Sequence, residues 1–203
     1  MRDWWLRTLL VLQRPRPVFV ALRSKDPESL ADRSEPILAV VILAGIAGVL
    51  STSTAAHLLD DRAYDDVNIA IWAFFGGGIY GAFSYWVLGA LLYAGSKALG
   101  SQGTYRRSRH VLAFAAVPIA LSLILWPVKL ALYGDDAFRS GGSDSGAGAH
   151  VFTVLMLGFV LWSVALLVIG VRAVHGWTWG RAGAACAPAV LGPLALGLVL
   201  SSL

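Results

Sequence analysis

Five apolar stretches, separated by loops that alternate between basic and acidic, constrain this chain more than any other feature. They run from Pro36 to Ala56, Ile69 to Gly95, Val111 to Tyr133, Val151 to Ala173 and Arg181 to Leu203. Each is nearly uncharged and about 20 residues or more, enough to cross a hydrocarbon layer of about 30 Å as a helix rising about 1.5 Å per residue. Hydrocarbon offers backbone amides no partner, so each stretch must satisfy its own hydrogen bonds, and a helix does so. The expected fold is all-α: a polytopic membrane bundle of five transmembrane helices over 36–203, preceded by a basic arm over 1–35. Only 14% of the residues are charged and 57% are hydrophobic, whereas a soluble domain carries about 25% charged residues.

The basic residues orient the bundle. Thirteen of the 16 Lys and Arg residues fall in the arm, in the connection holding Lys97, Arg106, Arg107 and Arg109, or in the connection holding Arg172 and Arg181. These segments share one side, and basic residues accumulate on the cytoplasmic side. The N-terminus is therefore expected inside and the C-terminus outside. The opposite loops are acidic, with Asp60, Asp61, Asp65 and Asp66 in one and Asp135, Asp136 and Asp144 in another. The net charge of +4 is thus a property of one membrane face and not a nucleic-acid signal. The apolar run Leu9–Leu12 is too short for a signal-peptide core, which leaves the first span as the insertion signal.

Within the arm, Trp5, Leu9 and Leu12 share one helical face, with Arg2 and Arg7 elsewhere on the wheel. This predicts a short amphipathic helix in the headgroup plane, either a lipid- or partner-binding element or a passive anchor, stopped by Pro15 and Pro17. The second span, read from Ile69 to Leu99, is long enough to tilt or to protrude. Gly45, Gly48, Gly77 and Gly81 allow close helix packing. Pro118, Pro127, Pro188 and Pro193 remove backbone donors and predict kinks. Trp72, Trp126, Tyr133, Trp177 and Trp179 lie near span ends, as an aromatic belt does. Ser140 to Ala149, rich in glycine, reads as a flexible external loop.

Chemistry-bearing residues are sparse. Lys129, the one cation inside a span, lies about a turn from its outer end and can snorkel to the interface or pair with an external aspartate. His57, His110, His150 and His175 sit near span ends and form no metal-ligand motif, and Cys186 is the only cysteine, so no cofactor or metal is expected. The aspartates from 60 to 66 match no calcium loop and read as a solvated turn or a weak cation site. Ser84, Ser122 and Ser163 have no nearby base and read as helix-packing hydroxyls. Tyr105, Arg106, Arg107 and Arg109, preceding the third span, are either a topology signal or a grip for lipid phosphates or a partner's carboxylates.

Several stretches carry a resemblance. Arg14-Pro15-Arg16-Pro17-Val18-Phe19 with Leu22, and Glu35-Pro36 at the first span, resemble the entry sequence of bacterial Yip-family proteins. Gly103-x-Tyr105-Arg106-Arg107 and then Ala113-Phe114-Ala115-Ala116-Val117-Pro118 are similar to that family's next recurrent stretch. Trp162, Gly170 to Trp177, and Arg181-Ala182 are similar to its third. The resemblance implies a five-helix membrane domain. Eukaryotic members interact with Rab GTPases in the secretory pathway, but their Asp-Leu-Tyr-Gly-Pro motif has no counterpart here, so that role does not transfer. The abundance of Ala, Gly, Arg and Val and the short arm suggest a multi-pass protein of a bacterial plasma membrane. The expected function is a non-enzymatic scaffold or interaction module engaging lipid, a membrane-protein partner or a second copy. The alternative is a small transporter with a cavity framed by proline kinks.

Overall fold

A computed structural model describes residues 2–23, 34–61, 64–144 and 146–201, with side chains described except at 2–7, 34–36 and 194–201. Trp5 and Arg7 therefore lie within a described helix, but their side chains are outside the description. The helices are α1 (Arg2–Gln13), α2 (Pro15–Ala21), α3 (Ser34–Leu50), α4 (Asp66–Ala98), α5 (Tyr105–Ala115), α6 (Val117–Leu121), α7 (Leu125–Tyr133), α8 (Ala147–His175) and α9 (Trp179–Ser201). Short 3₁₀ turns occupy Ala55–Asp60, Ser122–Ile124 and Gly134–Phe138. No strand occurs among the described residues.

Among the described residues three units are long and apolar enough to cross a membrane: Asp66–Ala98, Tyr105–Phe138 and Ala147–His175, with Ile37–Leu50 a shorter apolar helix. Their outward faces carry large apolar side chains, among them Ile71, Phe74, Phe75, Ile79 and Phe83 on α4 and Val151, Val154, Leu157 and Leu161 on α8. In water so extensive an apolar surface would drive association; in hydrocarbon it is the ordinary solvated face.

Helix ends follow local chemistry. Asp65 caps α4 by accepting the Asn68 amide proton at 2.8 Å, and Thr104 caps α5 by accepting from the Arg107 amide at 3.3 Å. Gly176, left-handed at φ +70°, ends α8 and donates its N–H to the Arg172 carbonyl at 2.8 Å. With 33 residues, α4 is about 50 Å long at about 1.5 Å per residue, so it exceeds the hydrocarbon layer.

This long helix is the hub, and each neighbour meets it at a glycine. A Cβ on Gly45 of α3 would lie 2.1 Å from the Gly77 carbonyl oxygen, and one on Gly81 would lie 2.3 Å from the Val41 carbonyl oxygen. At Gly48 the Tyr80 ring fills the space. Gly89 faces the Arg109 stem from α5, and Gly95 faces Ala185 and Pro188 from α9. Neighbouring Gly78 has nothing within 4 Å of such a Cβ, so of the 76–78 triplet it is Gly77 that makes the close approach.

The four prolines act differently. Near Pro118 the third unit breaks at Ala116 between α5 and α6, and Pro127 sits in the first turn of α7. At that break Ser163 on α8 donates to the Ala115 carbonyl at 2.7 Å, a side chain meeting the need that irregular backbone creates inside a membrane. By contrast, α9 runs on through Pro188 and Pro193. Ser122 bonds locally to the Ile119 carbonyl at 2.6 Å instead of joining two helices.

The arm packs into the bundle. Val11, Val18, Phe19 and Leu22 belong to one buried cluster with Val40, Leu92, Val111, Leu166 and Val171. A Cβ at Gly170 would come 2.8 Å from the Phe19 ring, so α2 is wedged against α8. The residues after Gln13 therefore do more than stop a helix: Pro15 opens α2 at its first position, where a missing N–H costs nothing. Among the described side chains of α1, Thr8 and Val11 are buried, while Leu9 and Leu10 face outward.

Candidate functional site at the arginine-rich end

Arginines from four segments converge at the end of the bundle where α4 and α8 finish and α5 and α9 begin. Arg23 donates to the Val174 carbonyl at 3.1 Å and to the Ala173 carbonyl, covering the last turn of α8. Arg181 donates to the Leu99 carbonyl beyond α4. Both use guanidinium donors to satisfy carbonyls that a helix end leaves open. Arg107 donates to the Arg23 carbonyl at 3.3 Å, so this residue ties the 99–104 loop and α5 to the arm.

Within this group Ser101 and His175 meet, 74 positions apart. His175 Nδ1 lies 3.0 Å from the Val171 carbonyl, which can only accept, so Nδ1 carries the proton and Nε2 accepts from the Ser101 hydroxyl at 2.7 Å. The Ser101 oxygen also takes the Gly103 amide proton at 2.9 Å. The His175 ring stacks on Trp177 at 4.4 Å. These bonds hold the hydroxyl within the loop and fasten it to the end of α8, a clip and not a presented nucleophile.

The second feature is a box around Arg109. Its guanidinium carbon lies 3.7 Å from the Trp86 ring centroid, 4.6 Å from that of Tyr105 and 5.1 Å from that of Tyr85. The Tyr105 hydroxyl donates to the Trp86 carbonyl at 2.7 Å, fixing one wall. Arg109 reaches this position because Gly89 leaves room for its stem. Its Nε is buried without a hydrogen-bond partner. Arg172, lying over Trp179 at 4.5 Å, likewise has a buried Nε without a partner.

Below the box lies a cavity of about 400 Å³, lined from α3, α4, α5, α6, α8 and α9. Val41, Gly45, Leu88, Leu112, Ile119, Val160 and Leu167 supply much of its wall, Ser51, Tyr80, Ser84, Tyr85 and Ser163 add hydroxyl-bearing residues, and among the described residues no charged side chain lines it. Pro193 reaches this cavity; Pro118, Pro127 and Pro188 are not in its wall.

The residues singled out in the sequence thus separate. Tyr105 and Arg109 form one unit, Arg107 is a tether, and Arg106 is exposed. Gly45, Gly77 and Gly81 pack α3 on α4, whereas Gly48 accommodates a ring. Arg23, Ser101 and His175 were not linked by any motif. The one local hint was Gly176 directly after His175, which marks a helix end in need of capping.

The acidic end is closed by different bonds. Lys129 pairs with Asp144 at 2.9 Å, both side chains about one-seventh exposed (15% and 14%), so pairing and not snorkelling describes it. Asp60 accepts from the Ser140 amide at 2.8 Å and from its hydroxyl, which holds the Asp60 carboxyl below the usual aspartate range. Asp136 accepts from the Ser143 amide at 3.2 Å. The glycine-rich segment, expected to be flexible, is therefore pinned at three points, and its last residues already belong to α8. Trp126 stacks on Phe138 at 5.7 Å over a small cluster containing Leu58 and Ile69. Among the described residues no group of three or more His, Cys, Asp or Glu side chains is placed to hold a metal.

Comparison with curated proteins and with solved structures finds no match. Comparison with protein families matches the Yip1 domain over residues 9–201, the whole run from the buried part of the arm through α9. With apolar-faced helices long enough to cross a membrane and a match of that extent, the chain belongs to the Yip1 domain family and is a membrane protein.

Proposed function

We propose that this protein is a non-enzymatic scaffold or interaction module of a bacterial plasma membrane, working through its arginine-rich face. The bundle spans the bilayer five times, by α3, α4, the α5–α7 unit, α8 and α9, with the arm and arginine-rich end cytoplasmic and the C-terminus outside. The distribution of Lys and Arg supports that orientation. The face offers anionic lipid and a partner's carboxylates several fixed guanidinium groups.

The observation that carries this reading is the character of the interior. A path for a polar solute draws on charged groups at depth, whereas the cavity here is mainly apolar, with a few serines and tyrosines and, among the described residues, no charged side chain. The rival, a small transporter with a proline-framed cavity, draws on the cavity itself, but only Pro193 of the four prolines reaches it.

Cysteine accessibility separates the two. In a Cys186→Ala background, Ser84→Cys or Ser163→Cys in the cavity wall should resist a water-soluble thiol reagent in native membranes. Modification at the rate of an exposed Ser143→Cys control would favour transport. The same Ser143→Cys variant should label from outside intact cells; labelling only after lysis would reverse the orientation.

A further inference from the structure

Arg109 and the cavity belong together. Tyr85 is a wall of both: its ring lies 5.1 Å from the Arg109 guanidinium carbon and also lines the cavity. Leu88 and Leu112, which line the cavity as well, flank Gly89 and Arg109 along their own helices. Arg109 is not itself in the cavity wall; through the shared Tyr85 it adjoins one end of the apolar chamber, its arginine-rich mouth.

Two properties of that mouth point to a ligand. The Arg109 Nε is buried with no hydrogen-bond partner, and a buried donor left unmade is costly, more so for a charged group. The guanidinium rests on three aromatic faces, which stabilise a cation but supply no negative charge. The Lys129–Asp144 ion pair lies at the other end of the bundle. Beneath this cation lies a chamber of about 400 Å³, within the usual ligand-pocket range of about 300–1,000 Å³, walled by Val41, Ile119, Val160 and Leu167. A ligand satisfying both ends has an anionic head and an apolar tail.

We propose that this site holds one anionic phospholipid, its phosphate on Arg109 and one acyl chain in the cavity. The inference rests on the membrane placement proposed above and specifies which lipid contact the arginine-rich face makes. Tyr85, Trp86 and Tyr105 hold the guanidinium at the mouth, and the phosphate takes the donors that the rings leave unused. Ser84 and Ser163 keep the chamber open because neither fills it with a large side chain. The glycine contacts between α3 and α4 then shape a lipid site as well as a helix interface.

The test is native mass spectrometry of the full chain in mild detergent, loaded with phosphatidylglycerol or phosphatidylcholine of identical acyl chains. Wild type should retain one phosphatidylglycerol per chain, at least tenfold over phosphatidylcholine. Arg109→Gln should reduce that preference to twofold or less, while Arg139→Gln, at the acidic end, leaves it unchanged. Ser84→Phe, which plugs the chamber, should lower retention of both lipids and keeps the proposal testable if Arg109→Gln does not fold. A full tenfold preference in Arg109→Gln, unchanged retention in Ser84→Phe, or several lipids held without selectivity would each overturn it. Displacement of the lipid by millimolar inorganic phosphate would likewise overturn it, since that result describes a free-phosphate site. Loss of lipid retention with a dry cavity refutes this inference alone, whereas a labelled cavity cysteine refutes the scaffold reading.

Discussion

Gly45→Ala is the smallest change that probes how this bundle is held together. The new methyl would sit 2.1 Å from the Gly77 carbonyl oxygen and 2.7 Å from the Gly81 Cα, and both obstacles are backbone of α4. Ordinary contact begins near 3.4 Å, so α3 and α4 must move apart by more than an ångström or rotate. A gap of about 0.5–1 Å already forfeits about a quarter to a half of the dispersion well at each contact, and overpacking of this kind costs about 1–3 kcal/mol. Alanine also favours the helix over glycine by up to about 1 kcal/mol, which partly masks the loss. Gly78→Ala is the control, because nothing lies within 4 Å of its Cβ and it carries the same helix-propensity gain. The difference between the two variants, about 1–3 kcal/mol, isolates the steric term. Unfolding by sodium dodecyl sulfate titration in mixed micelles, followed by tryptophan fluorescence, measures it. Equal midpoints for G45A and G78A would refute close packing through the glycine stripe.

Two other predictions concern the acidic end. Because hydrogen bonds from Ser140 lower the Asp60 pKa in the folded protein, the stabilisation is present above the ordinary value of 3.8 and lost as pH falls through the lower folded value. Amide exchange at Ser140, corrected for its intrinsic pH dependence, should lose protection only below that range, and Asp60→Asn should shed it at neutral pH. Lys129→Met should destabilise by about 1–3 kcal/mol by leaving the Asp144 carboxylate partly buried without its cation, and the Lys129→Met/Asp144→Asn double variant should recover part of that loss; additive losses in chemical denaturation would argue against the pairing.

What was legible in the sequence follows from what hydrocarbon demands locally. A helix in lipid closes its own hydrogen bonds, so apolar runs alone place α4, α8 and α9 within a few residues, whereas the first run, read to Ala56, leaves α3 at Leu50 and passes into a 3₁₀ turn over Ala55–Asp60. Asp65 and Thr104 move the starts of α4 and α5 outward from the apolar runs, to where a cap can form. The break at Ala116 was foreshadowed by Pro118, but the hydroxyl that meets the freed backbone comes from Ser163, 48 positions away. The same distance problem hid the Ser101–His175 clip and the box around Arg109, since pattern along one helix does not show which side chains face it from another. For Lys129 the sequence leaves snorkelling and pairing both open, because pairing needs the 140–144 loop to fold back, and that return depends on bonds that Asp60 and Asp136 accept from Ser140 and Ser143. In the arm, the spacing of Trp5, Leu9 and Leu12 points to a helix in the headgroup plane and says nothing of where the residues after Pro15 pack. Yet Phe19 finds room against Gly170, a fit that only the assembled bundle provides.

The most direct test of the scaffold reading is photo-crosslinking from position 106 in native membranes, with mass spectrometry of what is captured. Arg106 is exposed beside the box and its tether, so a crosslinker there samples the proposed working face without filling the cavity. The account predicts one recurrent protein or anionic-lipid adduct, lost from this position when Arg107 and Arg109 are neutralised together. Equal, nonselective capture from position 106 and from a lipid-facing site such as Phe83, together with proteoliposomes that take up a polar solute, would contradict it.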